Sequence, residues 1–403
     1  MKKYVFWGVV IAFFVFLRCW KIEERINFSM DQGESLLKVR ELWKNRELTL
    51  LGPPSSLTVF GRQFFFGPMV YYLLMGIMLL ANWQPIRGAV ILVLLNLGSM
   101  IFLYLGVKKL INKEVARLSC LLWVFCPASI DYSNNLWNPS LMLLIIPVAI
   151  YFFALTAKRG KFFDFGLLGL SLGVGLQLHF QVAILIGLTA FFVIIRKEGK
   201  GIFWYCLGLI IGYAPLLLFD IRNNFYNVET MWLWLNEGNK TRLTLSDHYF
   251  LSWWPIIIIG LGWLGKKYRY VGIITIIVLM VMAGKTLTRS QAKGMPDFWN
   301  YKDLKKTEEI ISEQKNEKDF NIVNLLSGDT RFYPLRYLLT IKDIKPMPVN
   351  KYSEAEQLWV IADNNQKVTD NPVWEISSMG KSKISNVWQI NEKVNLYKLM
   401  KDK

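Results

Sequence analysis

Asp31 and Gln32 follow the first apolar run of the chain, in the stretch Ile26-Asn27-Phe28-Ser29-Met30-Asp31-Gln32-Gly33-Glu34. A carboxylate just outside a membrane segment can serve as a general base, taking a proton from a hydroxyl or amine as it attacks. The same residue can cap the helix that follows, with Glu34 three residues later completing a capping box. Local sequence leaves both roles open, and they are compatible.

Other candidates stand at the ends of apolar runs. His179, one of two histidines in the chain, lies in Leu176-Gln177-Leu178-His179-Phe180-Gln181. An imidazole there can bind a phosphate, a metal or a sugar hydroxyl, or simply hydrogen-bond to a neighbour. The stretch Asp131-Tyr132-Ser133-Asn134-Asn135-Leu136-Trp137-Asn138-Pro139 mixes amides and aromatics. Asn135 and Asn138 can bond sugar hydroxyls while Trp137 stacks on a ring face. The alternative is interfacial anchoring by Trp137 and a helix start at Asn138-Pro139. Arg222 follows Asp220 at the end of an apolar run, and Arg62 precedes Gln63-Phe64-Phe65-Phe66. Either guanidinium can hold a lipid phosphate through two parallel hydrogen bonds. Alternatively, Arg222 snorkels and pairs with Asp220. Glu229, Glu237, Asp247 and His248 read more simply as solvated loop residues.

The elements that must position these groups are membrane spans. The chain has 403 residues, of which 53% are hydrophobic, and a positive mean hydropathy. Apolar runs near 4–20, 88–107, 115–130, 140–156, 164–179, 181–195, 202–219, 249–264 and 270–283 approach the ~20 residues needed to cross a bilayer. The first is read as a retained span with Arg18 snorkelling to the interface, since no small-x-small cleavage site follows it. A net charge of +17 could point to nucleic acid, but its distribution argues otherwise. One set of alternate connections holds fifteen cations against three acids, the opposite set is nearly neutral, and the residues from 285 onward carry +4. That is a positive-inside pattern. It predicts a cytoplasmic N-terminus, with Asp31, His179, Trp137 and Arg222 all on the outer face. Nucleic acid is not an expected partner.

Residues 67–81 are about fifteen apolar residues opened by Gly-Pro, and the charge bias favours an interfacial or re-entrant helix over a tenth span. The first outer loop, 21–87, is expected to carry an amphipathic helix over 31–46. The second is 131–139, the third a tight turn at His179, and the fourth 220–248. From 285 the composition turns polar. A helix is predicted over 302–314 and strands at Phe320–Leu325, Leu358–Ile361 and Val394–Leu399. The expected architecture is therefore an α-helical polytopic membrane domain, 1–284, followed by a small extracytoplasmic α/β domain, 285–403. Cys19, Cys120, Cys126 and Cys206 lie in or beside spans, without metal or disulfide spacing. Few ionisable groups fall at mid-depth, which disfavours an ion-coupled transporter.

Taken in order, these elements resemble the GT-C membrane glycosyltransferases, closest to the bacterial family 39 and protein O-mannosyltransferase-like type. The carriers are Asp31-Gln32, Leu51-Gly52-Pro53-Pro54-Ser55-Ser56, Phe66-Gly67-Pro68 with Tyr71-Tyr72, Trp137-Asn138-Pro139-Ser140, Gln177-Leu178-His179 and Phe219-Asp220-Ile221-Arg222. The resemblance implies a polyprenyl-phosphate sugar donor and a glycan, lipid or protein acceptor in contact with membrane lipid. It implies hexosyl or pentosyl transfer at the outer face of the inner (plasma) membrane, usually with inversion. Asp31 would be the base. Gln32, Glu34, Asn135, Trp137, Asn138, His179, Arg222 and Arg62 would contact substrate. Many members carry an acid where this chain has Gln32, so a divalent metal is left open and no cofactor is assigned. The alternative reading is a non-catalytic protein of lipid-linked glycan transport or polymer assembly.

Overall fold

The structure is a computed structural model that describes residues 2–237, 246–296, 298–314 and 319–402. Part of the expected fourth outer loop, 238–245, and the side chain of Glu237 lie outside the described residues. The chain divides into two compact units: Met1–Trp20 with Leu42–Thr288, and Lys21–Glu41 with Arg289–Lys403. The start of the first expected outer loop therefore groups with the C-terminal residues.

In lipid a backbone must satisfy its own polar groups, so apolar segments become helices. The chain opens with α1 (Lys2–Cys19), α2 (Ile22–Arg25) and α3 (Met30–Asn45), then a hairpin of β1 (Pro54–Val59) and β2 (Arg62–Phe65). Helix α4 (Met69–Leu80) has 12 residues. It is about 18 Å long, well short of a hydrocarbon core of about 30 Å. After it come α5 (Pro85–Leu110), α6 (Lys113–Phe125), α7 (Pro127–Tyr132), α8 (Met142–Arg159), α9 (Phe162–Leu178), α10 (Val182–Ile195) and α11 (Gly199–Arg222). Helices α12 (Tyr226–Glu237), α13 (Trp254–Lys267) and α14 (Arg269–Leu287) complete the unit. Among the described residues four helical stretches are long and apolar enough to cross a membrane: Pro85–Leu110, Pro139–Lys158, Gly199–Arg222 and Arg269–Leu287.

Three expectations are corrected. The run 115–130 is two helices, because Pro127 lacks an N–H and forces Cys126 into extended backbone. The run 249–264 starts as a 3-10 turn, Asp247–Phe250, and becomes α-helical only at Trp254, where Pro255 suits a first turn. Arg18 does not snorkel; it is fully buried. Its guanidinium donates to the carbonyls of Trp123 (3.2 Å) and Val124 (3.1 Å), to Phe14 O (3.1 Å) and to Ser129 Oγ (2.7 Å). Pro127 offers no N–H to the last turn of α6, where Trp123 O keeps only the Cys126 N at 3.4 Å, and Arg18 supplies further donors there. In return Asn134 Nδ2 donates to Arg18 O at 3.0 Å, closing the end of α1.

Helices α9 and α11 meet backbone to backbone. A Cβ at Gly169 would meet the Tyr205 carbonyl, one at Gly208 the Gly166 carbonyl, and one at Gly212 would lie 2.5 Å from Leu170 O. This is small-residue packing between membrane helices.

In the second unit, α15 (Tyr301–Glu313) and α16 (Tyr333–Ile341) accompany a four-stranded sheet. Its strands are β3 (Phe320–Asn324), β4 (Gln357–Asp363), β5 (Ser382–Gln389) and β6 (Val394–Lys401), in the order β3-β4-β6-β5. The β3/β4 pair is parallel and the others antiparallel. Val323, Leu358, Val360, Ile376 and Leu399 form its core. Three of the four strands lie where the apolar runs placed them, and the helix predicted over 302–314 is α15. β5, with its mostly exposed residues, has no apolar run to announce it.

Asp329 caps α16: Oδ1 accepts from Phe332 N and Oδ2 from Tyr333 N, both at 3.1 Å. Burial pushes its carboxyl from 3.8 up to about 6, against the lowering effect of those two amides and of Arg336, with Glu34 adding upward pressure. A raised carboxyl favours the protonated folded state. Its contribution to stability is present below pH 3.8 and is lost as pH rises through about 6. In thermal unfolding in detergent, the difference between wild type and Asp329→Asn should therefore change across that window and flatten above it. For the first unit, Arg18→Met should deprive Val124 O of its donor, at about 1–3 kcal/mol, and leave Trp123 O with the 3.4 Å bond from Cys126 N. A clear drop in melting temperature is the expected readout, and Arg18→Lys should recover only part of it.

Candidate active site

The end of α9 is fixed by Gln177. Its backbone carbonyl accepts from Gly67 N (2.8 Å), its Oε1 from Met69 N (3.3 Å), and its Nε2 donates to Gly212 O (2.5 Å). Gly67 must be glycine: a Cβ there would lie 2.5 Å from the Gln177 side chain. The Leu51–Ser56 turn joins the same anchor, with Gly52 N on Phe66 O at 2.8 Å and Phe66 N on Pro53 O at 3.0 Å. Two residues past Gln177, His179 is buried. Its ring lies 5.5 Å from Phe66, 5.6 Å from Tyr249 and 6.0 Å from His248. Its Nδ1 faces the amide of Gln181 at 3.4 Å.

The Trp137 loop reaches the same place. Asn138 Nδ2 donates to Leu178 O at 3.1 Å, so the loop is tied to the residue before His179. Trp137 meets His248 edge to face at 4.9 Å and stacks near Tyr132 at 6.4 Å. Asn135 is buried, and its carbonyl accepts from Trp137 N at 2.8 Å, which shapes the loop. Gln181 carries His248 into the cluster: Nε2 donates to His248 O at 3.2 Å and Oε1 accepts from Ser252. Burial holds the His248 imidazole below its usual range, so it presents a neutral ring with one donor and one acceptor at neutral pH. The assembled surface, two imidazoles among Trp137, Tyr249 and Phe66, suits a ring face bordered by hydroxyls.

Arg62 and Arg222 stand elsewhere in the same unit. Arg62 pairs with Glu229 at 2.8 Å and lies over the Tyr226 ring at 4.6 Å. Arg222 is exposed in the last turn of α11. The Asp220 carboxylate turns to the N-terminus of α12, accepting from Asn227 N at 2.7 Å. Asn227 in turn bonds both backbone groups of Phe65 at 3.1 Å, tying α12 to β2.

Asp31, Gln32 and Glu34 come together in the second unit. The cap of α3 is made by Ser29 and Gln32, which corrects the expected pairing of Asp31 with Glu34. Gln32 Oε1 accepts from Ser29 N (3.1 Å) and Ser29 Oγ (2.8 Å), and Gly33 N bonds Ser29 O at 3.0 Å. Gln32 is thus buried in the cap, while Asp31 is exposed in the first helical turn. Glu34 is half-buried; burial raises its carboxyl, Asp31 adds to this and Arg331 opposes it. Among the described residues no group of three or more His, Cys, Asp or Glu is arranged to hold a metal ion.

His248 and Tyr249 are the members of the aromatic cluster to which sequence reasoning gave little weight. The available signal was that His248, the second of two histidines, sits among aromatics in Asp247-His248-Tyr249-Phe250.

Residues 66–219, which hold the Trp137 loop and His179, match the family model for dolichyl-phosphate-mannose-protein mannosyltransferase. No curated protein matches the sequence. The fold is similar to that of ArnT from Cupriavidus metallidurans bound to undecaprenyl phosphate, with a TM-score of 0.59, 9% identity, and coverage of 98% of this chain and 97% of that one. The apo state of the same protein gives a TM-score of 0.57 at 9% identity with the same coverage. The apo oligosaccharyltransferase of Archaeoglobus fulgidus gives 0.50 at 10% identity, covering 90% of this chain and 70% of that one. The chain therefore has an ArnT-like fold, and within it residues 66–219 match the mannosyltransferase family model.

Proposed function

We propose that the chain moves a hexosyl or pentosyl unit from a polyprenyl-phosphate donor to an acceptor hydroxyl or amine. Transfer takes place at the outer membrane face, with inversion, and Asp31 is the general base. The observation that carries the reading is the cap of α3. Gln32 takes up the N–H and hydroxyl of Ser29, and Asp31 stands beside it as an exposed carboxylate in the first turn, where an acceptor can reach it. The ArnT structure of similar fold holds undecaprenyl phosphate, which supports a polyprenyl-phosphate donor. The cation bias of the alternate connections supports the outer face.

The chemistry asks little of the protein. A polyprenyl phosphate leaves readily, so the reaction needs a proton acceptor on the nucleophile and positive or hydrogen-bonding groups on the departing phosphate. Asp31 serves the first need. Arg222, with His179 or Arg62, serves the second. Trp137, Asn135 and Asn138 border the sugar. In an inverting displacement the acceptor oxygen or nitrogen forms its bond to the anomeric carbon as the carbon–oxygen bond to phosphate breaks on the opposite side. The acceptor's proton passes to Asp31.

Two measurements test this with purified protein and a panel of labelled polyprenyl-phosphate sugars. Asp31→Asn should lower kcat by about 10²–10⁴-fold while expression and folding persist; full activity in that variant would sink the base assignment. Trp137→Ala should raise the donor KM by about 2- to 12-fold, the value of one aromatic contact, and leave kcat much closer to wild type.

A further inference from the structure

The segment that carries Asp31 is held by the C-terminal residues of its own unit. Phe28 is buried and meets Tyr301 and Tyr337 edge to face at 5.7 and 5.9 Å. Glu24 pairs with Lys302 at 2.7 Å, and Asn27 Nδ2 donates to Lys293 O at 3.0 Å. The tightest approach is at Gly33. A Cβ there would lie 2.6 Å from the Tyr333 carbonyl carbon and 2.8 Å from Pro334 Cα. These are backbone atoms, so the neighbour cannot move aside by a change of rotamer.

The surface that Gly33 meets is itself rigid. Asp329 holds the amides of Phe332 and Tyr333, Arg336 Nε donates to Arg331 O at 2.7 Å, and Phe332 sits in the left-handed region at φ 55. Glycine within a helix is destabilising relative to alanine. Its presence in the first turn of α3 is explained by this contact, since any side chain would push the turn away.

We propose that the Asp329–Pro334 turn positions Asp31, with Gly33 as the contact residue, so that the C-terminal α/β residues fix where the base stands. This rests on the reading of Asp31 as general base. Gly33, Asp329 and Pro334 are positioning residues that act through α3. A displacement of the base by about 1 Å can cost about 100-fold in rate, so a methyl group at residue 33 is enough to register.

The test uses the full chain in detergent, with the labelled polyprenyl-phosphate sugar that wild type turns over and with hydrogen–deuterium exchange of peptides covering residues 29–36. Gly33→Ala should lower kcat by about 10- to 100-fold with donor KM within about twofold of wild type, and exchange in 29–36 should accelerate. Asp329→Ala should shift both readouts in the same direction and carries the test if Gly33→Ala does not fold. Asp329→Asn, which retains an acceptor oxygen, should restore most of the rate. Val360→Ala, in the buried core of β4, loosens the unit without touching the turn and should leave kcat unchanged well below its melting temperature. Wild-type kcat in Gly33→Ala beside an inactive Asp31→Asn would overturn the positioning role alone. Full activity in Asp31→Asn would overturn the base reading and this inference with it. A loss in Val360→Ala as large as that in Gly33→Ala would also overturn the inference, because general loosening would then account for both.

Discussion

A single buried guanidinium holds together the part of the membrane unit on which the Trp137 loop depends. Arg18 is fully buried, and a charge is tolerated there only if its donors are used. Its two terminal nitrogens are used, on the carbonyls at the end of α6 next to Pro127 and on Ser129 of α7. Its guanidinium carbon lies over the Phe14 ring, 3.7 Å from the centroid. The break in the helix and the charge in the apolar run are each unfavourable alone, and each resolves the other. Through Asn134 the same residue sets the start of the loop that carries Asn135, Trp137 and Asn138.

A second chain of dependence runs from the glycine seam of α9 and α11. Backbone contact between these helices brings Gly212 O within reach of Gln177, whose remaining groups hold Gly67 and Met69. Phe66 is thereby delivered to one side of His179, and Asn138 ties the Trp137 loop to the residue before it. The aromatic cluster thus depends on packing several turns away, where no residue has any chemistry of its own.

What could be read from the sequence follows from the range of the interactions concerned. Apolar runs are local, and helices appear where they were expected. Their ends were less legible where proline decided them, at Cys126-Pro127 and at Trp254-Pro255. The short α4 was foreshadowed by the Gly-Pro that opens its run. The cap of α3 was legible in principle, because Ser29-x-x-Gln32 is itself a capping-box pattern, but the acidic pair Asp31 and Glu34 drew attention from it. The fate of Arg18 was not legible, since its partners lie more than a hundred residues away. The same holds for His248, joined to His179 by Gln181 across a long connection, and for the grouping of 21–41 with residues beyond 289.

That last grouping has a consequence for how the protein comes into being. The seat of α3 is made of residues synthesised about 300 positions after Asp31, a delay of roughly 15–60 s at ~5–20 residues per second. Until then Phe28 and Gly33 have no Tyr301, Tyr337 or Pro334 to meet. A nascent chain already threaded into the membrane would hold its aspartate on an unsupported tether, and only a completed chain would have it set in place. The discontinuous unit thus delays the finished arrangement until translation has passed α16.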